Sequence, residues 1–486
     1  MKTPRVRSAL LVATVLVAAI APPLAATSIA GADPVGIDAH GSVEQVYATG
    51  LPPDNHLALL DDGGDTVATT QVNALGAALF RNVDPGADYT VSDVDAGTTS
   101  APLTVHPDDP APWNPDIYDQ TITSDGYQYL TTRDGTELAL SVRPPLAGGP
   151  GPYPTLIEYS GYGYADPSGP QSGLALLANA MGFAVVDVNM RGTGCSGGAF
   201  DYFEMLQNLD AYDVIETIAN QPWVAHNQVG MFGISYGGIS QLFAAQLDPP
   251  SLAAIAPLSV IDATPTTLYP GGILNSGFAL EWAQGRVDDA KPATATTGQK
   301  WAYKRIQEGD TACEANQALH LDAVDLIAKI KNNEHYVPEI ADPLDPVSFV
   351  HKIRTPVYLA CQFQDEQTGG HCPELARHFT GTDDKWFSFT NGAHIDALDP
   401  ENLNQIFDFL ELFVAERPPG PDSGLMKLAA PIIYQSAMGV SDDIKYTLPD
   451  DPIQHETTYD GALAAFRRLP TVQVRFDNGA GSDPKG

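Results

Sequence analysis

Hydrophobic and polar positions follow two different patterns along the chain, and the change falls near residue 115. Between about 36 and 112, short apolar runs are interrupted every eight to twelve residues by Gly, Pro and Asp, with no helical period. Turns at such regular intervals are typical of a β-sandwich. We therefore predict a small β-sandwich domain over residues 33–115. Its strand candidates are 42–47, 56–60, 66–71, 78–82 and 89–93.

Beyond residue 116 the apolar runs are longer and alternate with amphipathic segments of helical period. Nearly continuous apolar strands separated by helices predict a mostly parallel sheet with helices on both faces, an α/β fold over 116–416. The interval of about 263–347 lacks an apolar strand, and we expect it to form a cap inserted at the carboxyl edge of the sheet. The strand candidates are 154–159, 182–189, 228–234, 252–260, 356–363 and 385–390. The helix candidates are 171–181, 203–221, 236–247, 372–379 and 401–416.

One strand candidate runs directly into a Gly-x-Ser-x-Gly motif at residues 233–237. A sharp turn from strand to helix would expose the hydroxyl of Ser235 above the sheet, and that turn requires small residues at Gly233 and Gly237. The following helix directs free backbone N–H groups at the same place, where they favour developing negative charge. The pattern predicts a nucleophile at Ser235, and a serine in an ordinary tight turn is the alternative.

A serine hydroxyl becomes a useful nucleophile at neutral pH only when a positioned base accepts its proton, so an acid and a histidine must accompany it. After a motif of this kind the chain order is serine, acid, histidine. Asp365 follows the strand candidate 356–363 and His394 follows 385–390, so both are expected beside Ser235 at the carboxyl edge of the sheet. The other candidates are Glu366, Asp383 and Asp384 for the acid, and His351, His371 and His378 for the base.

Composition and charge narrow the possible partners. The 486 residues carry 25 Lys and Arg against 60 Asp and Glu, a net charge of -35, and 43% of them are apolar. A surface this acidic repels phosphate backbones and anionic lipid, so we expect no nucleic-acid partner. An acidic substrate would require a locally basic pocket.

The N-terminal residues have the pattern of a secretory signal. Basic residues within the first seven positions precede an apolar run over 9–20, and an Ala-Gly-Ala sequence ends at Ala32. This order predicts a signal peptide over 1–32. Two prolines interrupt the apolar stretch before it reaches the roughly 20 residues that span a bilayer. We expect a secreted or cell-envelope protein with no membrane insertion after signal removal.

Four cysteines, Cys195, Cys313, Cys361 and Cys372, would allow one or two disulfides in an oxidising compartment. Cys372 lies at the far end of the loop that carries Asp365, so a bond at Cys372 would restrain the acid. Its partner is either Cys361, in the strand before that loop, or Cys313, in the cap. No Cys-x-x-Cys pair occurs, so nothing supports a zinc site.

Several segments, in order along the chain, resemble the X-prolyl dipeptidyl-peptidase and cocaine-esterase family of α/β-hydrolases. They are 189–198 (Asn-Met-Arg-Gly-Thr-Gly-Cys-Ser-Gly-Gly), 213–223, 229–238 and the loops carrying Asp365 and His394. The resemblance covers about 116–416. It implies an α/β-hydrolase fold with a helical cap and a serine hydrolase of esters or amides, for which we expect no metal and no organic cofactor.

The resemblance also implies an oxyanion hole made by a tyrosine hydroxyl and a backbone N–H. The tyrosine at the matching position is Tyr162, within 159–163 (Tyr-Ser-Gly-Tyr-Gly), and the backbone partner would be the N–H of Tyr236. A phenol and an amide that converge on one oxygen are chemically sufficient for this task. Tyr164 is the alternative to Tyr162.

Two features depart from the family's pattern. Asn189 stands where the family usually has an acid two residues before Arg191, so the Asp–Arg pairing that would brace this loop lacks its usual acid, although Asp187 stands nearby. Family members also continue into a β-rich jelly-roll domain after a stretch similar to 472–481. We therefore expect 417–486 to be a docking tail or a C-terminal segment that leads toward a missing β-rich domain.

Together these inferences predict an exported serine hydrolase that cleaves a small ester, amide or short peptide through an acyl-enzyme on Ser235. An acyl esterase is favoured. An X-prolyl dipeptidyl-peptidase is the second hypothesis, and it would need carboxylates to bind a free ammonium. The candidates for that contact are Asp201, Glu204 and Glu366. Acyl transfer to an envelope sugar is a third hypothesis, because the same catalytic residues serve both reactions.

Overall fold

The computed structural model describes residues 36–170, 172–420, 423–436 and 448–476. The predicted signal peptide, 1–32, lies outside the described residues. None of the helices in these ranges is long and apolar enough to cross a membrane.

The N-terminal part forms two antiparallel sheets. Their strand orders are β1-β2-β5 and β4-β3-β6-β7, and β8 pairs with β6. Apolar side chains such as Val46, Leu59, Phe80 and Val91 are buried together in one cluster, as expected for a sandwich with two inner faces. The strands are β1 Asp38–Gly41, β2 Gln45–Thr49, β3 His56–Leu60, β4 Thr66–Gln71, β5 Ala78–Arg81, β6 Gly86–Asp93, β7 Thr98–Thr99 and β8 Leu103–Val105.

The second part contains a nine-stranded sheet of order β17-β16-β15-β14-β13-β11-β12-β10-β9. The pairs of β9 with β10 and of β10 with β12 are antiparallel, and the remaining pairs are parallel. The strands are β9 Gly126–Thr131, β10 Glu137–Arg143, β11 Thr155–Ser160, β12 Ala184–Asn189, β13 Val229–Ile234, β14 Leu252–Leu258, β15 Val357–Gln362, β16 Lys385–Thr390 and β17 Val472–Arg475. The expected mainly parallel sheet is confirmed.

Helices cover both faces of this sheet, and the two faces bury separate apolar clusters. The core helices are α1 Gly173–Ala180, α2 Met205–Ala219, α3 Tyr236–Ala245, α11 Pro400–Phe413, α12 Ser423–Ser436 and α13 Tyr459–Phe466. The predicted helix at 372–379 is a short 3-10 helix, Cys372–Arg377. Helix α11 begins where Asp399 accepts a hydrogen bond from the Asn402 backbone N–H and Pro400 takes the first helical position.

The remaining α-helices of the described residues lie between β14 and β15 and form the cap, where the sequence predicted an insertion. They are α4 Thr264–Leu268, α5 Phe278–Asp289, α6 Lys300–Gln307, α7 Thr311–Asn316, α8 Leu326–Asn332, α9 Pro338–Ala341 and α10 Pro346–Phe349. Because parallel strands β13, β14 and β15 all end at the same edge, an insertion after β14 lies over that edge.

The described residues after 416 pack against the α/β core. Helix α13 buries Ala462 and Phe466 against the core, and β17 pairs in parallel with β16. The main sheet therefore extends past the boundary predicted at 416. The sequence did not show this, because Val472 and Val474 are exposed on an edge strand of only four residues and form no apolar run.

The sandwich contacts both the α/β core and the cap. Tyr47 donates its hydroxyl hydrogen to the Asp134 carbonyl at 2.8 Å, and Arg81 pairs with Glu204 at 2.8 Å. On the cap side, Asn73 donates from Nδ2 to Asp322 at 2.7 Å. These polar contacts hold the sandwich against the loops around the carboxyl edge of the main sheet.

Candidate active site

The turn after β13 presents Ser235 at the carboxyl edge of the sheet. Ser235 has a φ of 59°, and its backbone N–H donates to the Leu258 carbonyl at 2.8 Å. Gly233 has a φ of 150°, and a Cβ placed there would lie 2.9 Å from the Gly237 carbonyl oxygen. Gly233 is thus required by the close approach of backbone to backbone, whereas the space beside Gly237 is limited by the Tyr164 side chain. Helix α3 begins at Tyr236, directly after the serine.

Asp365 and His394 are brought together at the same edge of the sheet. Asp365 lies in the loop after β15, and His394 lies in the loop after β16. His394 Nδ1 lies 2.8 Å from Asp365 Oδ2, and both side chains are buried. The other carboxylate oxygen, Oδ1, accepts backbone N–H groups from Gln367 at 2.9 Å and Thr368 at 2.8 Å. Burial acts to raise the pKa of the Asp365 carboxyl, but hydrogen bonds from His394 and Thr368 hold this pKa below its ordinary value. Asp365 is therefore ionised at neutral pH.

Ser259, at the end of β14, connects the loops of the serine and the histidine. The neighbouring residue Leu258 accepts the Ser235 N–H, and Ser259 Oγ lies 2.7 Å from the His394 carbonyl and 2.7 Å from Gln362 Oε1. A hydroxyl has one proton, so we assign it to the hydrogen bond with the His394 carbonyl. We exchange the oxygen and nitrogen positions of the Gln362 amide, so that its NH₂ group donates to Ser259 Oγ. Two consecutive residues thus fix the backbones of Ser235 and His394.

The alternative acids and bases are engaged or lie elsewhere. Glu366 accepts the backbone N–H of His394 at 2.9 Å, and Asp384 pairs with Arg467 at 2.7 Å. His371, the strongest alternative base, is exposed in the acid-bearing loop, and it is His394 that contacts Asp365. Asp383 and His351 are exposed as well, whereas His378 lies 3.5 Å from Glu374.

Tyr162 lies in the loop after β11 and packs edge to face on the Tyr236 ring, with 5.3 Å between ring centres. Its hydroxyl oxygen accepts a hydrogen bond from Trp282 Nε1 at 2.8 Å. The alternative, Tyr164, is buried, and its hydroxyl oxygen lies 3.2 Å from where a Cβ on Gly237 would stand. Tyr164 therefore supports the underside of the serine turn, and Tyr162 remains the predicted oxyanion donor together with the N–H of Tyr236.

The loop at 189–198 is braced by acids other than the one that stands nearby in sequence. Arg191 pairs with Asp134 at 2.9 Å and with Asp210 at 2.6 Å, and all three side chains are buried. Asp187 instead pairs with Arg143 at 2.6 Å. The Asp–Arg brace therefore exists, but its carboxylates come from the start of the α/β core and from α2.

A cavity of about 430 Å³ opens beside Ser235 under the cap. Most of its wall is apolar and comes from α3, the end of β14 and the cap helices. Tyr236 and Ile239 of α3, Ile261 after β14, and Ala279, Trp282 and Ala283 of α5 are among the lining residues. Ser235 is among the described residues that line the cavity, and His394 is not. Cavities of this volume hold small organic ligands.

The cysteines form two pairs, Cys195–Cys313 and Cys361–Cys372, with Cα–Cα distances of 4.6 and 6.0 Å. The first joins the 189–198 loop to cap helix α7. The second closes the loop that carries Asp365, so the structure selects Cys361 and not Cys313 as the partner of Cys372.

Replacing Cys361 and Cys372 together by alanine should lower the free energy of unfolding by about 3 kcal/mol, because an 11-residue separation is released in the unfolded chain. It should also lower turnover at temperatures below the unfolding transition, since the acid-bearing loop loses a restraint. Thermal unfolding and ester hydrolysis measure the two effects. The comparison variant lacks Cys195 and Cys313, which should cost about 5 kcal/mol. A free Cys372 thiol in non-reducing peptide maps would contradict the pairing.

A sheet with this strand order and a serine on the turn after its central strand is the α/β-hydrolase fold. Within this class the chain belongs to the X-Pro dipeptidyl-peptidase (S15) family, whose sequence profile matches residues 134–396, more than half of the chain. The family resemblance drawn from the motifs is thereby confirmed.

Individual relatives match shorter stretches. The cocaine esterase of Rhodococcus sp. (strain MB1 Bresler) is 36% identical over 155 residues, 31% of this chain and 26% of that protein. A protein of Mycobacterium bovis that carries the name of a serine esterase is 34% identical over 113 residues, 23% of this chain and 18% of its own. A CocE/NonD family hydrolase from Staphylococcus aureus aligns in structure with a TM-score of 0.48 and 20% identity, over 60% of this chain and 50% of that one. The matched stretches thus span half or less of each relative.

Two side chains at the site were not found from the sequence. Ser259 lies inside a predicted apolar strand, 252–260. The feature that could have indicated it is a polar residue at the carboxyl end of the strand that neighbours the one leading to Ser235. Trp282 lies in the cap, 120 residues from the tyrosine that it contacts. No local pattern indicates a partner at that separation.

Proposed function

We propose that the protein is an acyl esterase with Ser235 as nucleophile, His394 as general base and Asp365 as the acid that orients the imidazole. The observation that carries this proposal is the apolar cavity that begins at Ser235. The His394–Asp365 contact supports the assigned roles, since a base needs an orienting partner. The acid–base pair needs the proton of His394 on Nδ1, which leaves Nε2 free to accept the proton of Ser235.

The acyl group is proposed to occupy the cavity. During collapse of the tetrahedral intermediate, the base must protonate the leaving alcohol, so the alcohol lies on the side of His394. His394 does not line the cavity, whereas Ser235 does. The acyl chain of the acyl-enzyme therefore fits the cavity, and water reaches the ester carbon from the histidine side.

The charges around the site favour this function over an X-prolyl dipeptidyl-peptidase. Asp201 is paired with Lys329 at 2.8 Å, Glu204 with Arg81 at 2.8 Å, and Glu366 with the His394 N–H. Each of the three carboxylates expected to bind an ammonium thus already has a partner. Glu334 is the carboxylate among the described residues that line the cavity, and its side chain is 69% exposed at the outer end.

The test is a substrate panel in which the amino terminus is varied separately from the acyl chain. p-Nitrophenyl acetate, butyrate and octanoate are compared with Ala-Pro-p-nitroanilide and its N-acetylated form. An acyl esterase hydrolyses the esters and gains from a longer acyl chain. A dipeptidyl-peptidase would instead cleave Ala-Pro-p-nitroanilide with its free amino terminus faster than it hydrolyses the esters. It would not cleave the N-acetylated form. Products analysed with and without a sugar acceptor detect acyl transfer.

Filling the cavity should shorten the preferred acyl chain. Ala283 is buried in the cavity wall, and Ala283→Leu should lower the ratio of octanoate to acetate kcat/KM by about tenfold or more. A buried methylene contributes about 0.8 kcal/mol, so the loss of contact for two or more methylenes has this size. Gln284→Leu makes a comparable change at the adjacent exposed position and should leave the ratio within twofold. Equal ratios in the two variants would place the acyl chain elsewhere.

The proposed oxyanion hole predicts a separate loss. Tyr162→Phe removes one hydrogen-bond donor and should reduce kcat by about 10²- to 10³-fold with little change in KM. Tyr164→Phe is the matched variant and should retain most of the activity, because that phenol lies under the serine turn. The reverse order of the two losses would assign the donor to Tyr164.

We also propose that the protein is exported. The signal-like residues 1–32 support this, and so do two disulfide pairs, which persist in oxidising compartments. N-terminal sequencing of protein from the culture medium tests the proposal. A mature N-terminus near residue 33 is the expected result, and an uncleaved chain confined to the cytoplasm would contradict it.

A further inference from the structure

Cap helix α5 contacts Tyr162 at both its hydroxyl and its ring. Trp282 Nε1–H donates to the Tyr162 hydroxyl oxygen at 2.8 Å, and the Arg286 guanidinium carbon lies 4.4 Å from the centre of the Tyr162 ring. The same guanidinium lies 5.4 Å from the Trp282 ring and pairs with Asp289 at 2.9 Å. We propose that Trp282 and Arg286 are positioning residues for the oxyanion hole, so that the hole is competent only when α5 is docked.

The hydrogen bond from Trp282 determines what the phenol of Tyr162 is free to do. An indole N–H only donates, whereas a phenol has one proton to donate and lone pairs to accept. Trp282 therefore occupies a lone pair and leaves the proton of Tyr162 for another acceptor. A hydroxyl that accepts a hydrogen bond is also polarised toward donating one. The contact thus orients and strengthens the donor that the proposed oxyanion hole requires.

Arg286 adds positive charge at the same place. A guanidinium within about 6 Å of a ring face is attracted to it, and here the charge also lies beside a phenol that gains negative character as it donates to the oxyanion. Nε and Nη1 of Arg286 are buried without a hydrogen-bond partner in the described part of the chain. The described partners of this guanidinium are therefore Asp289 and the rings of Tyr162 and Trp282.

A further cap residue restrains the backbone beside Tyr162. Gln299 Nε2 donates to the Gly161 carbonyl at 2.8 Å, and a Cβ on Gly163 would lie 2.9 Å from Trp301 Nε1. The loop that carries Tyr162 is therefore enclosed by two separate parts of the cap. Displacement of the cap would release the hydroxyl, the ring and the backbone of this loop together.

The test is a double-mutant cycle on p-nitrophenyl acetate, whose short acyl group makes little use of the cavity. This inference rests on the proposed function, in which Tyr162 is the oxyanion donor. Trp282→Phe retains an aromatic side chain, although a smaller one, and removes the indole N–H, and it should lower kcat and kcat/KM equally, by about five- to tenfold. In the Tyr162→Phe background the same change should cost less than twofold. Binding of a trifluoromethyl ketone, which forms an oxyanion on Ser235, should weaken by a similar five- to tenfold.

Substitutions at Arg286 give a second double-mutant cycle, which does not require the Trp282→Phe variant to fold correctly. Arg286→Met should lower kcat severalfold in the presence of Tyr162 and have little effect in its absence, while Arg286→Lys should restore most of the loss. The control is Trp223→Phe, because the Trp223 indole donates to the Ile122 carbonyl at 2.7 Å in the core. This variant should keep its turnover.

Equal losses in both Tyr162 backgrounds would show that α5 acts only through packing and would overturn the proposal. An unchanged kcat in both Trp282→Phe and Arg286→Met would overturn it too. A wild-type protein that hydrolyses none of the esters would instead contradict the proposed function. The two failures are therefore distinguishable.

Discussion

Replacing Ser235 by alanine should abolish ester hydrolysis, with a loss of at least about 10⁴-fold in kcat. The hydroxyl oxygen is the proposed site of the acyl-enzyme, so no covalent intermediate forms without it. The fold should survive, because serine and alanine carry the same Cβ at this strained φ of 59° and the backbone N–H of residue 235 keeps its bond to Leu258. Hydrolysis and labelling by a fluorophosphonate measure the loss, and circular dichroism reports the fold.

The matched control is Ser168→Ala, which alters an exposed serine in the loop after β11. It should keep both turnover and fluorophosphonate labelling. If the Ser235 variant is labelled as strongly as the wild-type protein, the nucleophile lies elsewhere and the mechanism above is wrong.

The parts of the fold that the sequence predicts well are those buried on both faces. Each of the six central strands lies within two residues of its predicted bounds, because β11, β12 and β15 are buried at every position and read as unbroken apolar runs. Strand β9 has no such run. Five of its six residues are partly or fully exposed at the sheet edge, so its pairing depends on the neighbour and not on its own composition.

The site shows the same division. Ser235, Asp365 and His394 were indicated by position, since each follows a strand whose carboxyl end lies at one edge. Contacts across long separations were not, because they depend on how the cap lies over that edge. The Cys195–Cys313 pair, 118 residues apart, is an example. Once it forms, Cys361 is the partner left for Cys372.

Replacing Asp365 by asparagine should reduce kcat by about 10⁴-fold with little change in structure. Asp365 Oδ1 accepts the Gln367 and Thr368 backbone N–H groups, and an asparagine must keep its carbonyl oxygen there. Its NH₂ group is then directed at His394 Nδ1, which has to become an acceptor. The proton of the imidazole moves to Nε2, so His394 can no longer accept the proton of Ser235.

Asp383→Asn provides the matched control, since it makes the same chemical change at an exposed acid that was an alternative candidate in the sequence. It should leave kcat unchanged.

The stability of the wild-type protein and that of the Asp365→Asn variant should also respond differently to acid. Because the folded-state pKa of Asp365 lies below its ordinary value, its ionised form contributes stability at neutral pH that is lost as the pH falls through the folded-state pKa. The Asp365→Asn variant lacks this contribution, so the difference in unfolding free energy between it and the wild-type protein should narrow as the pH falls through the folded-state pKa of Asp365. A difference independent of pH would mean that the His394–Asp365 contact does not involve a carboxylate.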